Sequence, residues 1–315
     1  MTDARAAVLL MAYGSPDSLD DVAAYYTHIR GGRAPSPEAI ADLEARYRSV
    51  GGRTPLLTVT NDVRGALEVA LARANGPSTR VFIGMKHWRP FIAETIEEMA
   101  SAGVTSATAI ALAPHYSRMS IGGYQRAVDT ALGTLRDPFP VTFVPSWHRQ
   151  GEFIDMMGTL VREALATFPA AERQHVTTVF TAHSLPMRIR EWNDPYEREL
   201  AESAAAVAHG LGLRDWRVAW QSAGATGEPW IGPDILEYLS TLQREGVRHV
   251  LQVPIGFVAE HLEILYDIDI EAHQEASRLG LTLARTAMPN ASPGFVRVLA
   301  AVVRDAAALA ATPLA

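Results

Sequence analysis

Along the chain, short aliphatic and β-branched runs alternate with longer stretches in which apolar residues recur every three to four positions. The short runs predict strands over about 6–12, 79–85, 106–113 and 139–145, then 175–182, 215–221, 248–254 and 281–286. The periodic stretches predict helices over about 18–29, 37–49, 58–74, 90–102, 119–133, 151–168, 194–210, 233–245, 260–278 and 292–311. Pro37 with Glu38, Pro90, Pro195 after Asp194, and Pro233 with Asp234 suit first helical turns. Gly51, Gly103, Gly210, Gly246 and Gly280 fall where helices should stop.

Strands that alternate with helices of this length imply parallel sheets covered on both faces, so the fold class is α/β. Eight strands divide into four and four, with a change near 145–150. The expectation is two doubly wound parallel-sheet domains with the cleft between them. They would comprise residues 1–146 and 147–288, with 289–315 a C-terminal helix packing back on the first. A closed eight-stranded barrel ranks lower, because the first connection, residues 13–78, carries three predicted helices rather than one.

Composition narrows the chemistry. Of 315 residues, 48% are hydrophobic and 20% charged, which is ordinary for a globular protein with a sizeable core. The 35 acids outnumber the 28 bases, and a net charge of -7 argues against a general nucleic-acid binder. Cysteine is absent, which excludes disulfides, thiolate zinc, Fe–S clusters and thiol nucleophiles. Any metal chemistry must use His, Asp, Glu or Tyr. Lys86 is the only lysine, a bias that codon usage explains. No apolar run approaches the ~18 residues of a membrane helix. The short run Ala6 to Ala12 behind Asp3 reads as a strand rather than a signal peptide, so the default address is the cytoplasm.

In open α/β sheets, ligands bind outside the carboxyl ends of the strands. Those ends carry Tyr13, Lys86 with His87 and Trp88, His115 with Tyr116, Trp147, and His183. Any one His is more often structural than catalytic; their joint placement points to a site for a large flat ligand or a metal. From Glu260 to Glu275 run six carboxylates without a Lys or Arg among them, and Glu263, Asp267 and Glu271 are spaced for one helical face. The run reads equally as a solvated acidic face or as a track of hard oxygen ligands for a divalent cation. Arg30, Arg33, Arg46, Arg48 and Arg53, interleaved with Tyr47, read as ordinary surface arginines or as a patch for carboxylates on an aromatic ligand. No glycine-rich dinucleotide motif follows a strand, no Walker sequence is present, and Ser222 lacks the first Gly of a nucleophile elbow.

Six blocks in order resemble the ferrochelatases: Tyr25 to Arg30, Gly51 to Leu56, Thr181 to Pro186, Trp220 to Ser222, Pro229 to Asp234, and Gly256 to Glu263. The similarity runs from Val8 to about Asn290. Tyr13 after the first strand, the lack of a cysteine-bearing extension and the polar loop Gly31 to Pro37 point within the family to the soluble coproporphyrin III ferrochelatases. One departure is Thr54, where the family more often has Ser; the hydroxyl is kept.

The resemblance implies a Rossmann-like, chelatase-type fold and insertion of Fe²⁺ as substrate into coproporphyrin III, giving Fe-coproporphyrin III. No Fe–S cluster, no nucleotide, no nucleic acid and no stable membrane insertion are implied. The porphyrin and the neighbouring haem-pathway enzymes are the candidate partners, and a monomer is expected. It assigns His183 and Glu263 to the metal-side face of the ring and Tyr13 to the opposite face as an oxygen ligand. It assigns Arg30, Arg46, Tyr47, Thr54 and Tyr124 to the propionates, and makes Asp267 and Glu271 an outer cation station. A neutral imidazole at His183, with an ordinary pKa of about 6.5, would ligate iron or take a pyrrole proton. The alternatives are a protoporphyrin ferrochelatase, a non-catalytic tetrapyrrole carrier that uses Tyr13, and a chelatase for another ring or metal.

Overall fold

The computed structural model describes residues 5–75, 79–224 and 226–311. Asp3 and the ends of the expected first and last segments, residues 1–4 and 312–315, lie outside them. The helices are α1 (Val22–Ile29), α2 (Pro37–Ser49), α3 (Leu56–Asn75), α4 (Ile92–Ser101), α5 (Ile121–Leu132), α6 (Gly151–Ala166), α7 (Tyr196–Leu211), α8 (Ile235–Arg244), α9 (Leu262–Leu265), α10 (His273–Arg278) and α11 (Pro293–Ala311). Strands β1 (Ala6–Ala12), β2 (Arg80–Met85), β3 (Ser106–Ala111) and β4 (Val141–Val144) form one parallel sheet, in the order β2-β1-β3-β4. Strands β5 (Thr177–His183), β6 (Trp216–Gln221), β7 (His249–Val253) and β8 (Thr282–Arg285) form a second, in the order β6-β5-β7-β8. The expected four-plus-four α/β architecture is therefore what the chain adopts.

The chain divides into two compact units. One comprises Met1–Gln150, Ala259–His261 and Pro289–Ala315; the other comprises Gly151–Val258 and Leu262–Met288. In the first, β1 is central, and Ala7 to Met11 are all buried, as a strand covered on both faces requires. Ala7, Leu9 and Met11 pack with Ile92, Ile96 and Met99 of α4 and with Ile121 and Val128 of α5. Helices α3 and α11 pack on each other, and α11 also touches β3 and β4. In the second unit, Val179, Ala219 and Val250 of β5, β6 and β7 share a core with Ile235, Leu239 and Leu242 of α8.

Local signals held unevenly. Pro37 opens α2 behind Ser36, whose hydroxyl accepts the Ala39 N–H at 3.2 Å. Pro90 and Pro233 lie just before their helices rather than in the first turns; Asp234 takes over at α8 by accepting the Leu236 N–H at 2.9 Å. Gly210 is inside α7, and the stop is Gly212, in the left-handed region at φ 65°. The predicted helix 260–278 is broken: after α9 the residues Asp267–Ala272 form a π-helix before α10 resumes. The Tyr266 carbonyl there accepts from both Ile270 (3.1 Å) and Glu271 (3.0 Å). The four-residue spacing of Glu263, Asp267 and Glu271 therefore does not run along one regular α-helix.

Candidate active site

In each sheet the chain leaves its first strand for one neighbour and then crosses to the other, so the carboxyl ends of β1 and β3, and of β5 and β7, flank switch points. His183 is the last residue of β5, and Glu263 lies in α9, the first helix after β7. The second sheet thus brings together two residues far apart in sequence: His183 Nε2 lies 3.4 Å from Glu263 Oε1. Their side chains are 32% and 31% exposed, so a ligand can reach both.

Each partner is held by its main chain. The Tyr196 hydroxyl donates to the His183 carbonyl at 2.9 Å, and the Gln221 side-chain amide donates to the Glu263 carbonyl, also at 2.9 Å. His183 Nδ1 hydrogen-bonds the Ser184 carbonyl. A carbonyl only accepts, so Nδ1 carries a proton and Nε2 is the nitrogen presented to the carboxylate. Burial alone would lower the imidazole pKa. The charge and hydrogen bond of Glu263, with smaller contributions from the Ser184 carbonyl and Asp267, outweigh it and raise His183 to about 9. The expectation of a neutral imidazole at neutral pH is corrected: the resting pair is imidazolium and carboxylate. Burial, together with the charges of Glu263 and Asp194, keeps the Tyr196 phenol protonated far above its usual range.

The acidic run is less exposed to its own repulsion than its sequence implies. Asp267 is buried and accepts a hydrogen bond from Ser222, whose backbone is left-handed at φ 61°. Asp269 is clasped by Arg285 through two bonds of 2.6 and 2.7 Å, and Glu275 by Arg278 through bonds of 2.8 and 2.6 Å. Among the described residues, no group of three or more His, Asp or Glu side chains is gathered closely enough to hold a metal ion. Asp267 and Glu271 thus form no such cluster with a third carboxylate or imidazole.

The first unit carries the other expected residues, of which Tyr13, and Tyr47 and Thr54 through Ser15, lie by the end of β1. Tyr13 is exposed and its ring lies 4.5 Å from that of His87. His87 in turn approaches His28, Nδ1 to Nδ1, at 3.1 Å. Burial, then the charges of Lys86 and His28, hold His87 down to about 3, so it is neutral. Between Tyr13 and Ser15 the chain needs a glycine: Gly14 has φ 97°, and a Cβ there would lie 2.8 Å from the Trp88 nitrogen.

Ser15 is a hub that the sequence did not single out. Its hydroxyl accepts from Thr54 at 2.8 Å and lies 3.2 Å from the Tyr47 hydroxyl. Tyr47 itself is buried. A cavity of about 450 Å³ opens beside Ser15 and Thr54, with Arg53 and Thr58 in its wall. Arg30 and Arg46 are exposed, and the Arg30 guanidinium lies 5.9 Å from the Tyr26 ring. Tyr124 is buried under Lys86, whose ammonium is 5.1 Å from the ring centre. Burial, then Arg126, lowers Lys86 to about 8. The signals that pointed to Gln221 and Tyr196 were slight: a polar residue closing an apolar strand, and an aromatic in a first helical turn.

A fold of two doubly wound parallel sheets is one that solved metal chelatases share. The chain matches the family model for Ferrochelatase over residues 5–307 and belongs to the ferrochelatase family, enzymes whose substrate metal is Fe²⁺. A protein of Herpetosiphon aurantiacus named ferrochelatase is 48% identical over 300 residues, which cover 95% of this chain and 98% of that one. The Bacillus subtilis protein named coproporphyrin III ferrochelatase is 41% identical, over 96% of this chain and 98% of its own. The fold is also that of SirB from Bacillus subtilis, solved with Fe³⁺, at a TM-score of 0.61 and 12% identity over 97% of each chain. Among the described residues no helix is long and apolar enough to cross a membrane.

Proposed function

We propose that this ferrochelatase inserts Fe²⁺ into coproporphyrin III, and that His183 and Glu263 carry the insertion. The observation that carries the reading is their 3.4 Å pairing at the second sheet's switch point, with Nδ1 committed to a carbonyl and Nε2 turned to the carboxylate. Insertion requires iron to shed water and two pyrrole N–H protons to leave. The Glu263 carboxylate can accept one proton, and Nε2 can accept a second or bind iron once its own proton has left to solvent, the two groups orienting each other at hydrogen-bond range. At neutral pH a proton occupies Nε2, so Fe²⁺ must compete with it. The acid limb of the rate therefore lies above the ordinary imidazole range. Tyr13, exposed beside a neutral His87, offers a phenolic oxygen to iron.

The preference for coproporphyrin rests on propionate capture. Four propionates approach a protein of net charge -7, so short-range contacts must decide. Screening acts over about 8 Å at physiological salt. Exposed Arg30 and Arg46, the Thr54–Ser15–Tyr47 hydroxyl cluster and Tyr124 are the groups proposed to receive them. A charge-assisted hydrogen bond contributes about 1.5–3 kcal/mol net. Several relatives named coproporphyrin III ferrochelatase, at 39–41% identity, support the same preference.

The test is anaerobic addition of Fe²⁺ to protein and porphyrin, followed by the visible bands of the ring. Coproporphyrin III should be metallated, and His183→Ala should abolish it. Equal turnover of protoporphyrin IX, which has two propionates, would sink the coproporphyrin preference. Binding of iron coproporphyrin without metallation of the free base would convert the reading to a carrier.

A further inference from the structure

Beneath the pair, the second sheet carries polar side chains where a parallel sheet is otherwise apolar. Thr181 of β5, Gln221 of β6 and Gln252 of β7 are buried to 1% exposure or less. They bond to one another across the three adjacent strands. The Thr181 hydroxyl donates to Gln221 Oε1 at 2.8 Å, and the Gln252 amide donates to the Thr181 hydroxyl at 3.2 Å and to Gln221 Oε1 at 3.3 Å. Two donors therefore converge on one amide oxygen and fix the rotation of the Gln221 side chain. Its NH₂ is then aimed at the Glu263 carbonyl, 2.9 Å away. The main chain of Gln221 reaches the other partner: Gln221 pairs with His183 in the sheet register, and its carbonyl accepts the Ser184 N–H at 2.7 Å.

Buried amides and hydroxyls are costly unless they are bonded, and apolar residues of like size would fill a sheet core at lower risk. Among the described residues, this network reaches out at the backbone of Glu263, where α9 gives way to the π-helix. From this geometry we infer that Gln221 is a positioning residue: it ties the strand end that presents His183 to the helix that presents Glu263, and so sets the separation of the pair. Thr181 and Gln252 hold Gln221 in the orientation that does this. The inference rests on the functional reading of the His183–Glu263 pair and adds to it a residue that touches neither iron nor porphyrin.

The decisive comparison is Gln221→Met with Gln252→Met. Both remove an amide from the same buried network, but only the first removes the bond to Glu263. Both should lower the melting temperature to a similar degree. Gln221→Met should lower kcat at least tenfold, with the KM for porphyrin and its affinity by fluorescence quenching unchanged, because a misplacement of about 1 Å costs on the order of a hundredfold. Gln252→Met should retain kcat within a few fold. Loss of kcat that follows the melting temperature equally in both variants, or wild-type kcat in Gln221→Met, overturns the inference. Where Gln221→Met does not accumulate folded, Thr181→Val removes one of the two bonds that orient Gln221. It should give a several-fold fall in kcat at constant KM, and wild-type kcat there also overturns the inference. A crystal structure of Gln221→Met gives a readout independent of activity: the His183–Glu263 approach should open beyond about 4 Å, the limit of an ion pair. An unchanged approach overturns the positioning role, whereas a wild-type protein that metallates nothing overturns the functional reading and leaves this geometric result to stand or fall alone.

Discussion

Gly256→Ala tests how tightly the sheet sets the active site. Gly256 follows β7, and its N–H bonds the Thr181 carbonyl of β5 at 3.2 Å. An added Cβ would lie 2.5 Å from the Ala182 methyl carbon and 2.9 Å from the main-chain carbon that bears it. Its φ is not in the left-handed region, so the penalty is steric rather than conformational. The obstructing atoms belong to a fully buried residue of a central strand, held in register to Trp220 of β6, and cannot swing aside. Strands β5 and β7 must part by roughly 0.5–1 Å. Overpacking of this kind costs about 1–3 kcal/mol, equivalent to a fall of several degrees in Tm for a domain of this size. Ala182 directly precedes His183, so the same displacement reaches Nε2, and kcat should fall on the order of tenfold to a hundredfold with little change in porphyrin KM. Thermal unfolding by differential scanning fluorimetry and anaerobic metallation rates read the two effects. Ala182→Gly in the same chain removes the methyl, the nearer obstruction, and leaves the main-chain one, so it should restore part of both losses. A Gly256→Ala protein with wild-type Tm and wild-type kcat would refute the reasoning.

Other outcomes follow from the same geometry. Tyr196→Phe leaves the His183 carbonyl without its phenol; about 1–3 kcal/mol of stability should be lost, and kcat should fall while porphyrin KM holds, as unfolding in urea and steady-state rates will show. His183 has a folded pKa raised to about 9, so it stabilises the fold fully below its ordinary 6.5 and loses that contribution as pH rises through 9. Metal-free protein should therefore weaken over that interval in denaturant titrations, and Glu263→Gln should flatten the dependence; equal slopes would contradict the pairing. Arg46→Ala removes an exposed guanidinium, so its effect on coproporphyrin should be a rise in KM of several fold, about 1 kcal/mol, with kcat nearly unchanged; a fall in kcat alone would remove Arg46 from substrate capture. Thr54→Val should raise the same KM, because it takes one of the hydroxyls away from Ser15.

The alternation of apolar runs made the fold legible because parallel strands buried on both faces leave long unbroken apolar signals, as in Ala7 to Met11. The placement of chemistry was legible for the same reason: once strands are known, their carboxyl ends are known, and His183 is one of them. What stayed hidden depends on contacts between distant segments. Arg285 lies in β8, sixteen positions after the Asp269 it clasps, so the acidic run looked unrelieved. The π-helix has no composition of its own, and a four-residue spacing reads as α-helical whether or not one turn is widened. Gln221 reads as the polar end of a strand until Thr181 and Gln252 are placed beside it.

These contacts also change what the net charge means. A run of six unrelieved carboxylates would draw divalent cations over a distance and would do so strongly at low salt. With Asp269 and Glu275 bound by arginines and Asp267 buried against Ser222, much of that field is cancelled within the segment that carries it. Of the six, Glu260, Glu263 and Glu271 remain, all partly exposed, and Glu263 already faces an imidazolium. The pair is thus close to neutral before iron arrives, and on the proposed reading its affinity for a metal comes from replacing one proton at Nε2 rather than from long-range attraction. Capture of Fe²⁺ should then depend steeply on pH and only weakly on ionic strength. If the propionates are received on exposed arginines of the first unit, as proposed, they should show the reverse, with a KM that rises as salt is added and changes little across neutral pH.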